Sequence, residues 1–354
     1  MNAPGRSLLC IAISVASFLL VARAIRALRP WPSEYGQRAK FEYFADHKDE
    51  FEAIFVGTSV TAYGVVPHVF DEVLRERGRP MRSFNFGVGA MSTLEADHLL
   101  RRVLELEPAS LAWVFVESAG WDPRLYYVSN LFAARTVRWH DVLHTRYAIE
   151  CLPRIVGAPS AKDGPYWKWW TAWTHLLLMG VNLANVSQGT AIVRSLLSLD
   201  ADEVLPTRED LERLAGYVDL DVIEGDEWRK RRERFLAEQR RYYARVAAID
   251  GANASFPPVQ RHANLGALAD QLAAITAAGA RAVYYSGPRT APTPMSFSLE
   301  RAGLIPNFLA FNQPAKYPEL YEPAAHFDPN HLTRAGAEAF TRLLATEFAD
   351  TIDR

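Results

Sequence analysis

Cysteine is nearly missing from this 354-residue chain, which holds only Cys10 and Cys151. Cys10 falls inside an apolar run, so an intrachain disulfide is not expected, and no Cys or His spacing has the form of a structural zinc site. An excess of charge is missing too, since 39 Lys and Arg face 41 Asp and Glu. The resulting net charge of −2 supplies no global attraction for nucleic acid, and none is expected as a partner. Internal repeats and long low-complexity tracts are also lacking, which argues against a solenoid or a disordered scaffold. With 49% apolar and 23% charged residues, what remains is an ordinary globular composition with ample material for a core.

Long apolar runs are confined to one place. Leu8 to Ala22 (LLCIAISVASFLLVA) carries no charge, with Arg6 before it and Arg23, Arg26 and Arg29 after. A membrane span needs ~20 apolar residues, so the run is short unless Ser7 and Ala24 to Leu28 join it and the arginines snorkel. Residues 1–30 are read as a signal-anchor that ties an exported domain to the membrane, on its periplasmic or extracellular face. A cleaved signal is the alternative, because Ala22-Arg23-Ala24 has the small-x-small form of a cleavage site, and the domain would then be secreted. The three arginines beyond the run oppose the positive-inside rule for export.

Four short apolar runs follow, at Ala53-Val56, Ser83-Phe86, Leu111-Val116 and Ala282-Tyr285. Each ends in a Gly, Ser or Asn turn, as buried parallel strands do, and helical patterns lie between them at 69–77, 93–105 and 264–278. Such alternation predicts an α/β fold with helices on both faces of a sheet. Residues 31–120 and 257–354 are expected to form the two parts of that domain. The alternation stops between 121 and 256, which reads as a mostly helical insertion. Its Tyr166-Trp167-Lys168-Trp169-Trp170 patch is expected to pack on the main domain, with an interfacial helix or an acyl lid as the functional alternatives. Asp226 to Val246 reads as a basic helix with a solvated face, the alternative being a site for an anionic polymer or lipid.

A serine hydroxyl is a poor nucleophile unless an imidazole takes its proton, and the imidazole works best when a carboxylate fixes its tautomer. Ser59, just past the first strand, together with His331 and Asp328 near the other end, supplies those parts. The null explanation for Ser59 is a helix cap, which Thr58 could provide equally. A second Asp-x-x-His stands at Asp141-Val-Leu-His144, so spacing does not choose between them. Context favours Asp328 and His331, because they follow the last strand and open a helix, whereas the other pair sits inside the insertion. His68, His98, His262 and His326 are read as structural, and Arg289 as a surface arginine in preference to an anion ligand. Gly87-Val-Gly-Ala-Met-Ser92 lacks the third glycine of a dinucleotide fingerprint and follows the second strand, so no nucleotide cofactor is expected, nor any metal.

These residues resemble the SGNH (GDSL-like) hydrolases and their membrane-anchored acyltransferase relatives. Gly57-Thr58-Ser59 is similar to the family's first block, with Thr58 where Asp is commonest. Asn85-Phe86-Gly87-Val88-Gly89-Ala90 resembles the second, and Asp328 to Gly336 matches the last. The resemblance covers 53–92 and 282–348 and hardly touches the middle. It departs at the third block, where Val116-Glu117-Ser118-Ala119-Gly120-Trp121-Asp122 replaces Gly-x-Asn-Asp and the oxyanion asparagine is absent. Loss of one such donor typically costs about 10²–10³ in rate.

The resemblance implies a flavodoxin-like three-layer parallel sheet and a serine esterase or O-acyltransferase. Ser59 would be the nucleophile, His331 the base and Asp328 its orienting carboxylate, with the amides of Ser59 and Gly87 as oxyanion donors. The implied substrate is an acylated envelope glycan or glycopolymer, with a membrane acyl-donor protein as a further partner. No catalytic role is expected for Glu117, whose carboxylate would repel an oxyanion. The competing reading is a noncatalytic glycan-binding or scaffold subunit on the same fold.

Overall fold

The computed structural model describes residues 3–28, 31–118, 120–123, 131–155, 164–185, 197 and 206–352. They divide into two compact units, Met1–Glu34 with Arg124–Glu203 and Tyr35–Pro123 with Val204–Arg354. The expected insertion is therefore split. Its part from Arg124 to Glu203 falls in the unit of the N-terminal helix, and from Val204 onward its helices join the unit that holds the sheet.

In the first unit, α1 (Ala3–Leu28) is a single helix whose apolar span runs Gly5–Ile25, 21 residues with mean hydropathy 2.4. The flanks do join the run, and at 1.5 Å per residue the span is about 30 Å long, enough to cross a bilayer or to act as a signal.

The second unit begins with α2 (Gln37–His47). Strand β1 (Ala53–Val56) leads to α3 (Ser59–Gly64) and α4 (Pro67–Glu76), and β2 (Ser83–Asn85) leads to α5 (Thr93–Leu104). Strand β3 (Trp113–Glu117) closes the first half of this unit. The first unit resumes with α6 (Ala134–Trp139), α7 (Val142–Cys151) and α8 (Trp167–Ala184). The second unit continues through α9 (Arg208–Leu214), α10 (Asp226–Ala237), α11 (Gln239–Val246), α12 (Ile249–Asn253) and α13 (Leu265–Ala277). It ends with β4 (Arg281–Ser286), α14 (Pro294–Arg301), β5 (Phe308–Ala310), β6 (His326–Asp328), β7 (His331–Leu332) and α15 (Arg334–Ile352).

Strands β1 to β5 form one parallel sheet in the order β2-β1-β3-β4-β5. Alternation along the strands sends Phe55, Phe115, Val283 and Tyr285 to one face, where they pack with Phe70 of α4 and Phe340, Leu344 and Phe348 of α15. Burying these rings supplies the main stabilisation of the layer. The opposite face is tied by polar contacts through its helices. Tyr284 Oη donates to Gln271 of α13 at 2.8 Å, and Gln271 donates to Asp97 of α5 at 2.8 Å. Leu214, Phe235, Tyr242 and Val246 enter the first of these cores, which is why 206–253 belongs to the sheet-bearing unit.

The carboxyl ends of β1, β2 and β3 bring Gly57-Thr58-Ser59, Phe86-Gly87 and Glu117 to one edge, where ligands of open α/β sheets sit. Asp328 and His331 do not open a helix as the sequence suggests. They stand on an antiparallel hairpin, β6 and β7, and α15 starts two residues past β7.

Candidate active site

Helix α3 starts where the backbone must turn sharply off β1. Thr58 is its N-cap, with its hydroxyl accepting from the Val60 amide at 3.2 Å. Capping is therefore performed by Thr58, which leaves the Ser59 hydroxyl for other work. Ser59 Oγ lies 2.8 Å from His331 Nε2.

His331 in turn faces Asp328, with Nδ1 2.8 Å from Oδ2 and 3.0 Å from Oδ1. Asp328 Oδ1 also accepts the amides of Asn330 at 2.9 Å and His331 at 3.1 Å, so the carboxylate ties its own turn. A proton on Nδ1 directed at Asp328 leaves the Nε2 lone pair for Ser59, the tautomer a general base requires. Tyr63 packs edge-on against the imidazole at 5.3 Å between centroids, which fixes the ring plane. Asp328 is 1% exposed. Burial alone would raise its carboxyl, but His331, the Asn330 amide and the Arg231 guanidinium outweigh it and hold it below the ordinary carboxylate value.

Three expected site residues, Ser59, Asp328 and His331, thus form one hydrogen-bonded chain. The fourth does not join them as expected. The Gly87 amide donates to Asn85 Oδ1 at 2.7 Å, so its hydrogen is already engaged and is not held ready for an oxyanion. Asn85 is fixed in that pose because its Nδ2 donates to the carbonyls of Thr61 and Val65. Gly87 is still required by space, since a Cβ there would lie 2.2 Å from the Ala62 nitrogen. The Ser59 amide is the first N–H of α3 and has no acceptor within the helix.

Glu117, expected to have no catalytic role, has a structural one. Only 4% exposed, it accepts from the Thr58 amide at 2.7 Å, from the Thr58 hydroxyl at 3.0 Å and from the Thr61 hydroxyl at 2.8 Å. Arg289 Nη1 reaches its other oxygen at 3.4 Å, so Arg289 is neither a surface residue nor a free anion ligand. The end of β3 therefore carries a carboxylate that grips the turn at Thr58 and Ser59. Ala119, in the same block, lies outside the described residues.

Arg231, which the sequence places on a solvated helix face, reaches the same hydrogen-bonded chain. Its Nε is 2.6 Å from Asp328 Oδ2 and its Nη2 is 3.1 Å from His331 Nδ1. Lys40, fully buried, donates to the Gly87 carbonyl at 2.6 Å. Only a motif spanning distant segments would have flagged these contacts, because the Arg231 partners lie about a hundred residues on.

His326 and His144 have partners nearby in the chain. His326 is buried with Nε2 2.8 Å from the Leu320 carbonyl, and burial pushes its imidazole down to about 4. Asp141 caps α7 and pairs with His144 at 2.8 Å.

No family model matches this chain, and no curated protein matches it significantly.

Proposed function

We propose that the protein is an SGNH-type serine esterase or O-acyltransferase acting on acyl esters of a cell-envelope glycan or glycopolymer. One observation carries the reading. Two segments 272 residues apart meet so that a serine oxygen lies 2.8 Å from an imidazole nitrogen whose partner nitrogen faces a buried carboxylate. Such alignment converts an inert alcohol into a nucleophile. The strand order β2-β1-β3-β4-β5 is that of flavodoxin-like sheets, and it supports assignment to the SGNH fold.

In this mechanism Ser59 Oγ attacks the ester carbonyl carbon while its proton passes to His331 Nε2. Asp328 holds the imidazolium through Nδ1. The negative charge formed on the carbonyl oxygen is stabilised by the Ser59 amide, and by the Gly87 amide once that N–H turns away from Asn85. Collapse expels the sugar alkoxide, which takes the proton from His331, and leaves an acyl-Ser59. Water or a second sugar hydroxyl then attacks this ester, with His331 again accepting the proton, and Ser59 is regenerated. The apolar helix α1 supports a membrane location for the chain, with the catalytic unit on the exported side.

The engaged Gly87 amide favours a second reading, a noncatalytic glycan-binding subunit on the same fold. A fluorophosphonate probe separates the two. Acyl chemistry predicts covalent labelling of the wild type that vanishes in Ser59→Ala and drops by at least about a hundredfold in His331→Ala. No labelling of folded wild type would move the assignment to the scaffold, and labelling that survives Ser59→Ala would refute the nucleophile.

A further inference from the structure

An open groove of about 220 Å³ runs from the hairpin turn at Asp328 and Asn330 along α10 and α11. Arg231, Arg234, Arg241 and Arg245 line it, against the carboxylates of Glu238 and Asp328, four positive charges to two negative. Arg231 is paired with Asp328, and Arg241 lies 3.7 Å from Glu238. Arg234 and Arg245 are exposed and have no carboxylate partner among the described residues. Four guanidiniums along one concavity repel each other, and the field they raise draws in anions.

The fold holds this charge in a fixed position relative to the triad. Phe235 and Tyr242 are buried in the main core beneath the groove, and the Tyr242 hydroxyl donates to the Tyr321 carbonyl at 3.0 Å. Arg232 pins α10 to β6 by donating to the carbonyls of His326 and Phe327. The strand that carries Asp328 and the helix that carries Arg231 and Arg234 therefore move as one body.

The layout also says what kind of anion fits. Four guanidiniums spread over α10 and α11, two of them without a carboxylate partner among the described residues, offer more donors than a single carboxylate or phosphate can take up. Both aromatic rings are buried, so bases of a nucleic acid would find no stacking platform. We propose that this groove binds an anionic glycan chain through carboxylate or phosphate groups spaced along it, and so brings an ester on that chain to Ser59. The delivery to Ser59 rests on the acyl-transfer reading above, whereas the binding does not.

The test uses the full chain carrying Ser59→Ala, in detergent micelles, with calorimetric titration of hexagalacturonate at low and moderate salt. Binding is expected at 50 mM NaCl and is expected to weaken about tenfold by 300 mM, as screening predicts. Adding Arg234→Gln and Arg245→Gln should cost about a further tenfold, and Arg234→Lys with Arg245→Lys should retain most of the affinity. Neutral maltohexaose should not bind. The proposal is overturned if hexagalacturonate fails to bind, if maltohexaose binds as well, or if the glutamine pair binds like its parent. It is also overturned if glycerol 1-phosphate, a lipid headgroup with one anion, binds as tightly as the hexamer. Fluorophosphonate labelling of the wild type runs alongside. Labelling without hexagalacturonate binding refutes the groove alone, and binding without labelling refutes the acyl chemistry alone.

Discussion

Arg231 places a permanent cation 2.6 Å from the carboxylate that orients His331. On the acyl-transfer reading a positive charge there would oppose an imidazolium on His331, and it also steadies Asp328. On the same reading, Arg231→Gln deprives Asp328 of one of its partners and should lower kcat/KM for p-nitrophenyl acetate about tenfold, with Arg231→Lys retaining most of it. Unchanged kcat/KM in Arg231→Gln would show that Asp328 is held without the guanidinium. Glu117 makes a different prediction. Glu117→Ala leaves Arg289 and the Thr58 amide without their acceptor in a buried place, so a loss of about 3–5 kcal/mol is expected in denaturant unfolding. A loss below about 1 kcal/mol would show that water replaces the carboxylate without cost.

Legibility at this scale followed chemistry with a short-range signature. Ser59, Asp328 and His331 were readable because a nucleophile after a strand and an Asp-x-x-His pair are patterns in themselves. Glu117 was read as a repulsive carboxylate because sequence does not show which side of the turn it occupies. Arg231 was hidden inside a run of alternating Arg and Glu, which looks like any solvated helix face.

At the level of elements, the close approach of α3 to the turn after β2 decides the shape of the site. Gly87→Ala would push a methyl group to 2.2 Å from the Ala62 nitrogen, which is backbone and has no rotamer to escape through. A loss of about 1–3 kcal/mol is expected from overpacking, with a lowered melting temperature as the readout. Unchanged stability would mean that the two segments part easily. The four strands readable from sequence were those that end in a turn after an apolar run. Strand β5 was missed because Phe308–Ala310 lies between Pro306-Asn307 and Asn312-Gln313-Pro314, whose residues read as a loop. The basic stretch from 226 to 246 reads as one helix but breaks at Glu238 (φ −104°, ψ 26°). Its partner could not be read either, since an amphipathic face says that something covers it without saying what.

For the whole molecule, two buried charges shape stability against pH. Burial lowers the Lys40 ammonium to about 7 and raises the Asp71 carboxyl to about 7. Between roughly pH 4 and 7 the folded state holds a proton on Asp71 that the unfolded chain has released, so stability falls as pH rises. Between roughly pH 7 and 10 the unfolded chain keeps a proton on Lys40 that the folded state has lost, so stability rises. The buried imidazole of His326, lowered to about 4, works against Asp71 below about pH 6.5, so the two contributions are read by difference from wild type. In denaturant titrations at pH 5, 7 and 9, Asp71→Asn should gain stability relative to wild type between pH 5 and 7 and Lys40→Met should lose it between 7 and 9, and a difference that does not change with pH would contradict the assignment concerned.

The hydrogen bond between Ser59 and His331 has a temporal consequence. Val66 and Gly64, just beyond the nucleophile, are held by Thr341 of α15 through bonds of 3.0 and 3.2 Å. During synthesis the alcohol leaves the ribosome long before its base, and nothing activates it until the C-terminal helix has docked. On the acyl-transfer reading, an unfinished polypeptide is chemically silent toward esters in every compartment it crosses, and reactivity is switched on by completion of folding.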